Sequence, residues 1–341
     1  MNAKKVSIPP RPAKIPIRQV ATLPPVRGGG NNALTASRMN CASQCWRKHF
    51  WQYEVGLRRI VETSPALRFG SAWARSMEAR WRGKGYKTAL AAAVPEGSAI
   101  LDEYAIATLA ALLKVYYEIY GKKERFGKMN PEVKFTSDLV EGFTAEGVID
   151  GLGSLADGRS GIIESKTTAD SLAPDSDFWL RLTFNVQVYQ YIVEARKLGW
   201  DIATVYYDVT RKPSIRPKQI GKKEEKHLET PDEFSERLYE DAKGRPEFYF
   251  ARREVPVIDD QLEQFRHHRE LMVRTILFFR SLEVRSIRDA TLRDAMAWPR
   301  NVSSDTCDFC QFKSFCLNNI SVDINHPPEG YAVQTFNPEL K

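Results

Sequence analysis

Two short apolar runs in the middle of the chain each end in charge. Gly147-Val148-Ile149 leads into Asp150, and Gly161-Ile162-Ile163 leads into Glu164, followed after one spacer by Lys166. Side chains alternate along a strand, so Glu164 and Lys166 share a face. Two carboxylates and an ammonium on neighbouring strands suit the cutting of a phosphodiester. Asp150 and Glu164, with the backbone carbonyl of Ser165, supply enough oxygen for a hydrated Mg2+ ion, which keeps several of its waters. Such an ion polarises the scissile phosphate and lowers the pKa of a bound water. The lysine can then orient that water or offset charge developing on the phosphate. Taken alone, an acid and an E-x-K triplet also fit a solvated strand end.

The surrounding pattern places these groups in a fold. Strand-like segments over 132–136, 146–152 and 161–166 are split by a turn at Ala156-Asp157-Gly158-Arg159. A helix over 180–197 follows, then a strand over 202–209 that Arg211-Lys212-Pro213 turns into a basic loop. Helices are expected over 37–58, 67–81 and 100–120 before the strands, and over 231–242 and 259–282 after them. This order predicts a mixed α/β core with helical additions at both ends. On the 180–197 helix, Gln187 and Tyr191 are four residues apart and face one way, toward the same cleft. Tyr191 also reads as a core aromatic, whereas a glutamine in an apolar stripe needs a polar partner.

Five cysteines are an odd number, and Cys307, Cys310 and Cys316 fall within ten residues. This C-x2-C-x5-C spacing suits metal or cluster ligation better than a disulfide framework. A fourth thiolate must come from far away, from Cys41 or Cys45. Spacing alone does not choose between Zn2+ and an iron–sulfur cluster.

The net charge of +7 and pI near 9.0 favour a polyanionic partner only weakly. Arg211, Lys212, Arg216 and Lys218 could follow a phosphate backbone, and Trp179 could stack on an unpaired base or sit in the core. Residues 1–33, rich in proline, glycine and basic side chains, read as a flexible arm. A folded domain over about 34–320 has its catalytic centre near 125–215, and 321–341 form a tail. No apolar run is long enough for a membrane span or a signal peptide, which predicts a cytoplasmic protein with no membrane partner. The lack of a Gly-x4-Gly-Lys-Ser/Thr phosphate loop excludes a nucleotide-driven motor in this chain.

Taken in order, Ser37-x7-Cys45-Trp-Arg-Lys, Arg68-Phe69-Gly70-Ser71-Ala72, Glu132, Ile149-Asp150, Glu164-Ser165-Lys166, Gln187-x3-Tyr191 and the terminal cysteines resemble the PD-(D/E)XK nuclease superfamily. The match is specifically to its RecB-like exonuclease branch, with AddB and the CRISPR-associated RecB-like exonucleases. The resemblance runs from about Ser37 to Cys316. It implies a restriction-endonuclease-like core with Asp150 and Glu164 as ligands of Mg2+ or Mn2+, and Glu132 as a further acid at the metal. Lys166 would be the catalytic lysine, and Gln187 and Tyr191 the pair that shapes the site and contacts DNA. It also implies a 4Fe–4S cluster on Cys45, Cys307, Cys310 and Cys316, with Zn2+ as the alternative. The implied activity is an exonuclease acting on single strands or ends in recombination, repair, CRISPR adaptation or phage DNA processing, with a helicase or integration partner. One position departs from the branch. Gly70-Ser-Ala-Trp-Ala74 carries alanine where the family has a metal-ligating histidine. That departure implies a single cation, or a catalytically weakened DNA-binding version of the same fold.

Overall fold

The computed structural model of the chain describes residues 32–60, 64–95, 101–121, 126–221, 226–286, 292–293 and 295–334. The expected basic arm falls outside these residues, apart from Asn32 and Ala33. β1 (Ala33–Leu34) enters α1 (Ala36–Gln44), α2 (Trp46–His49), a π-helical turn over Phe50–Glu54 and β2 (Leu57–Arg59). The helix expected over 37–58 is therefore broken at Cys45, whose extended backbone ends α1. α3 (Pro65–Trp81) starts at Ser64, whose hydroxyl accepts the Leu67 N–H, and at Pro65, whose missing N–H costs nothing there. α4 (Tyr86–Ala93), which sequence periodicity missed, and α5 (Glu103–Tyr120) complete the first helical group.

Three long strands follow, β3 (Phe126–Asp138), β4 (Thr144–Leu155) and β5 (Ser160–Thr168), and then α6 (Asp177–Thr183) and α7 (Val186–Lys197) cross over to β6 (Ile202–Arg211). The expected single helix over 180–197 stops at Phe184, because Asn185 caps a new one: its side-chain oxygen accepts the Gln187 N–H at 2.9 Å. The β7 (Gln219–Ile220) and β8 (His227–Leu228) hairpin precedes α8 (Pro231–Gly244), α9 (Pro246–Tyr249), β9 (Phe250–Pro256) and α10 (Asp259–Ser286). β10 (Leu292–Arg293), α11 (Ser304–Cys307), α12 (Lys313–Leu317), β11 (Val322–Asp323) and β12 (Tyr331–Val333) end the described chain. β11 pairs with β10 and β12 with β2, so the segment read as a tail closes on the N-terminal helices.

The main sheet is mixed. β3 runs antiparallel along the full length of β4. On the other edge of β4, β5 pairs antiparallel only over Gly151–Ser154, and β1 pairs parallel with Thr144 and Ala145. β5 and β6 are parallel, and β9 adds an antiparallel edge that the sequence reading did not foresee. Alternation sends Ile162 into a core shared with α7 and α10 (Ile192, Val273), while Ile163 packs near Trp81 of α3. Helices α3, α4, α5 and α8 bury a second core around Trp73, Tyr116 and Leu238. Helices thus cover both faces of the sheet.

A fully buried ionic cluster ties the two ends of the domain together. Glu54 accepts from Arg38 of α1 at 2.6 Å and from Arg280 of α10 at 2.7 Å. Arg280 also donates to Asn32, and Arg38 to His49 Nε2 at 3.1 Å. Burial and the two guanidiniums hold His49 neutral, with its pKa pulled down to about 3 from 6.5. Since the unfolded histidine takes up a proton first, folded stability is full above about pH 6.5 and falls as the pH drops toward 3. His49→Gln, which keeps an acceptor for Arg38, should remove about 2 kcal/mol of the stability lost between pH 7.5 and pH 5. Urea melts of both proteins at the two pH values measure this; an equal loss in both would contradict it.

Candidate active site

The site arises where two strands part. β4 and β5 leave the Asp157-Gly158 turn as a pair, with Gly158 at φ +85°, and stay paired up to Gly151 opposite Ile163. The next opposed residues are Asp150 and Glu164, and there the ladder stops. β5 continues along β6 through Thr168, while β4 continues along β3. Where the strands part, the Ser165 N–H is not taken by β4's backbone, and the Asp150 carboxylate accepts it at 3.1 Å. Gly147 lies just below on β4, where a Cβ would stand 2.7 Å from the Phe135 ring, so only glycine fits.

Glu164 is 0% exposed; its Oε1 meets the Lys166 ammonium in an ion pair along the strand, and its buried Oε2 accepts no hydrogen bond from the described residues. Lys166 also donates to Gln187 Oε1 at 2.7 Å, and Gln187 Nε2 donates to the Tyr191 hydroxyl at 2.8 Å. Gln187 thus finds the polar partner that its place on a helix face demanded, and it aims the ammonium. Tyr191 serves both readings, buried in the core and bonded to the site.

The electrostatics follow from burial. Burial, and then the charge of Glu164, push the Asp150 carboxyl well above the usual range, with Lys166 and the Ser165 N–H opposing. Burial works against the Lys166 ammonium, but Glu164 and Asp150 outweigh it and raise its pKa. Burial, with Glu164 and Asp150 next, pushes the Tyr191 phenol well up. Glu132 lies opposite Asp150 on β3, with left-handed backbone (φ +54°), a conformation that costs a non-glycine residue on the order of 1 kcal/mol or more. Its carboxyl is raised by burial first, then by Glu78 of α3.

A buried carboxylate with one oxygen on the Lys166 ammonium and the other without a protein partner, beside a second raised carboxyl, fits a divalent cation, whose charge would relieve both. Among the described residues no three His, Cys, Asp or Glu side chains stand close enough to grip one ion. The donors therefore match a cation completed by water and substrate rather than caged by protein. Ala74 is exposed on α3, one turn after Gly70, which approaches Thr167 of β5, and one turn before Glu78, which faces Glu132. A side chain longer than alanine has room there.

A polar cleft of about 140 Å3 continues from the fork. Its floor is the β4 edge over Glu146–Val148, its roof Thr35, Ser37 and Asn40 at the start of α1, and its back wall Gln187 and Tyr191. Asn40 and Glu146 were not singled out from sequence, because nothing local marks them. Trp179 is core, 5% exposed, with its indole N–H on the Leu172 carbonyl. The Arg211 guanidinium lies over the Phe248 ring at 4.2 Å.

The site lies within a stretch, residues 33–317, that matches the family model of the PD-(D/E)XK nuclease superfamily. The chain belongs to that superfamily. The mixed sheet flanked by helices fits its fold. A provisionally named exonuclease from Eubacterium rectale, of known crystal structure, shares 16% identity over 72% of this chain and 80% of its own, with a TM-score of 0.42. SSO0001, also of known structure, shares 10% identity over 85% of this chain and 88% of its own, with a TM-score of 0.31. No curated protein matches significantly.

Cys45, Cys307, Cys310 and Cys316 line one small cavity, with Arg47, Lys48, Arg300 and Lys313 around it. Cys41 does not line it and contacts Gln52 instead. No disulfide joins any two of the five cysteines. Burial raises the Cys310 and Cys316 thiols, while Lys48 acts against this at Cys310, and Arg300 and Arg47 at Cys316.

Two substitutions test this geometry. Ala74→His should raise Mn2+-dependent cleavage several-fold and tighten Mn2+ binding by calorimetry; unchanged values in both would remove Ala74 from the cleft. Gln187→Ala should lower kcat on the order of tenfold or more while the melting temperature stays within a few degrees. A change in KM alone would mean that Gln187 binds substrate but does not position the lysine.

Proposed function

We propose that this nuclease-family chain is a deoxyribonuclease dependent on Mg2+ or Mn2+, acting as an exonuclease on single strands or DNA ends and belonging to the RecB-like branch. The observation that carries the reading is the fork itself: Asp150, Glu164 and Lys166 meet where β4 and β5 separate, and Glu164 Oε2 has no protein partner, which suits a cation. Asp150, Glu164 and the Ser165 carbonyl would hold that cation, with Glu132 as an outer acid. Once bound, it supplies Lewis acidity to the phosphate and acidity to a water. Lys166, pinned by Gln187, holds its ammonium toward the reacting oxygens and offsets the charge they gain. Tyr191 keeps Gln187 in place and, with its raised pKa, stays a neutral phenol. The cleft over Glu146–Val148 gives the strand an open path away from the fork.

Cys45, Cys307, Cys310 and Cys316 would carry a structural 4Fe–4S cluster, with Zn2+ as the alternative. A lone Zn2+ needs all four sulfurs about 2.3 Å from one point. These four share a cavity without gathering tightly enough to hold a single ion. The four cations around the cavity would balance the negative charge of a thiolate-bound cluster. Recombination, CRISPR adaptation or phage DNA processing, with a helicase or integration partner, are settings this activity would suit.

A second reading, a DNA-binding protein of the same fold with little or no cleavage, is favoured by Ala74. Labelled linear DNA with Mn2+ separates the two. The parent should degrade it, and Asp150→Asn and Lys166→Ala should each lower the rate at least a hundredfold with DNA binding retained. Parent and variants that are equally inert but still bind DNA would establish the second reading.

The cysteine assignment has its own readout. Anaerobically purified protein should be brown, with absorbance near 400 nm. Cys310→Ser should lose the colour and unfold at a lower temperature. A colourless, zinc-loaded protein would reject the cluster.

A further inference from the structure

We propose that the cleft between α1, the α6–α7 break and α10 is a subsite for one unpaired nucleobase of the strand being cut. This deepens the nuclease reading and rests on it. The cleft encloses about 310 Å3, at the lower end of small-ligand sites. Apolar side chains form its walls: Met39 of α1, Phe184 and Val186 at the helix break, and Phe265 and Met272 of α10. Hydrogen-bonding groups, Gln261, Gln264 and His268, stand along it, and the Arg269 guanidinium, paired with Glu194 at 2.7 Å, adds a cation. No carboxylate lines it, so a nucleotide of a polyanion meets no repulsion there.

Three observations point to a base as the occupant. Phe184 is 65% exposed where α6 ends, directly before the Asn185 cap of α7; a flat apolar ring in water gains from a flat partner. The Tyr189 hydroxyl, with one proton to give, lies 2.8 Å from the Thr183 carbonyl and 2.9 Å from the Gln261 amide. The end of the Gln261 amide turned away from Tyr189 can pair with a base edge, as NH2 to an acceptor or as oxygen to a donor. The cleft also adjoins the site at the first turn of α7. Val186 lines it, and the adjacent Gln187 holds Lys166 and lines the polar cleft on the other side of α1. A strand leaving the fork across the start of α7 therefore meets Phe184 first. Stacking on an aromatic is indifferent to sequence, as suits an enzyme that degrades any strand.

The test uses the full-length protein and two surface variants, Phe184→Ala, which removes the stacking ring, and Ser43→Trp, which fills the cleft from the exposed side of α1. Binding is measured in an Asp150→Asn background with a single-stranded oligonucleotide carrying 2-aminopurine. Quenching on binding is expected in that background, and each added variant should weaken binding roughly tenfold and lose the quench. In the Asp150 parent, both variants should raise KM for the oligonucleotide by a similar factor. Hydrolysis of methyl p-nitrophenyl phosphate, which has no base, should not change. Equal affinity and equal quench across the variants overturn the proposal, as does weaker ester hydrolysis in step with the oligonucleotide. If the parent cuts neither substrate but the quench still depends on Phe184, the nuclease reading fails and the base subsite stands.

Discussion

Everything at the site depends on β5 having two neighbours of unequal length. It stays with β6 for its whole course but with β4 for only a few residues. Had β4 and β5 remained paired, backbone bonds would have filled the space between the two strands at Asp150 and Glu164. By separating, the strands free one N–H for the Asp150 carboxylate and leave a gap on the β4 edge. β1 closes the far end of that gap at Thr144 and Ala145. Gln190 of α7 bridges the opening by donating to the carbonyls of Leu34 and Glu146, so the backbone groups left by the missing strand are partly satisfied by a side chain. The gap persists because the groups around it have found other partners.

Such a site works against folding. Two carboxyls and a phenol are held with raised pKa values, Glu164 has a buried oxygen without a hydrogen bond, and Glu132 sits in left-handed backbone. Each is a cost that a chain selected only for stability would shed. The rest of the fold must over-determine the geometry. Tyr116 of α5 donates to Asp208 of β6 and accepts from Arg252 of β9 at 2.8 Å, joining the second helical core to the strand beside β5. Removing one partner from such a network leaves a buried charge unpaired, which costs about 3–5 kcal/mol. β6, the strand that keeps β5 in line, is thereby fixed from its other side.

The convergence of Asp150, Glu164, Lys166, Gln187 and Tyr191 was legible because its signals are local. An acid ending an apolar run, E-x-K at strand period and Q-x3-Y at helix period each put side chains on a common face before any tertiary contact is known. What was illegible depends on distance. β1, β2 and β12 are two or three residues long and exist as strands only because partners over a hundred residues away pair with them. β9 follows a helix without clear alternation, and Arg252 and Arg253 in it look like loop charges until Asp208 and Trp179 are placed beside them. The break at Phe184 was missed because apolar periodicity runs through it, while Asn185 ends one helix and caps another. Trp179, read either as a stacking residue or as core, is core for a reason no local pattern carries: its indole N–H has an acceptor seven residues back.

α1 joins two parts of the molecule that the sequence reading kept apart. Its first turn supplies Thr35, Ser37 and Asn40 to the cleft beside the fork, and Cys45 caps its other end in the cysteine cavity. Nine helical residues span about 14 Å. A helix that short does not bend, so a displacement of Cys45 is delivered to the cleft. Arg38, in the middle of α1, is locked to Glu54 and through it to α10, which fixes the helix against rotation. Asn301 donates to the Gln44 carbonyl, and Arg47 to the carbonyl of Trp298, so the cysteine segment already grips the end of α1 without any bound group. The cysteine segment is thereby clasped to α1, and through α1 to the strands of the fork.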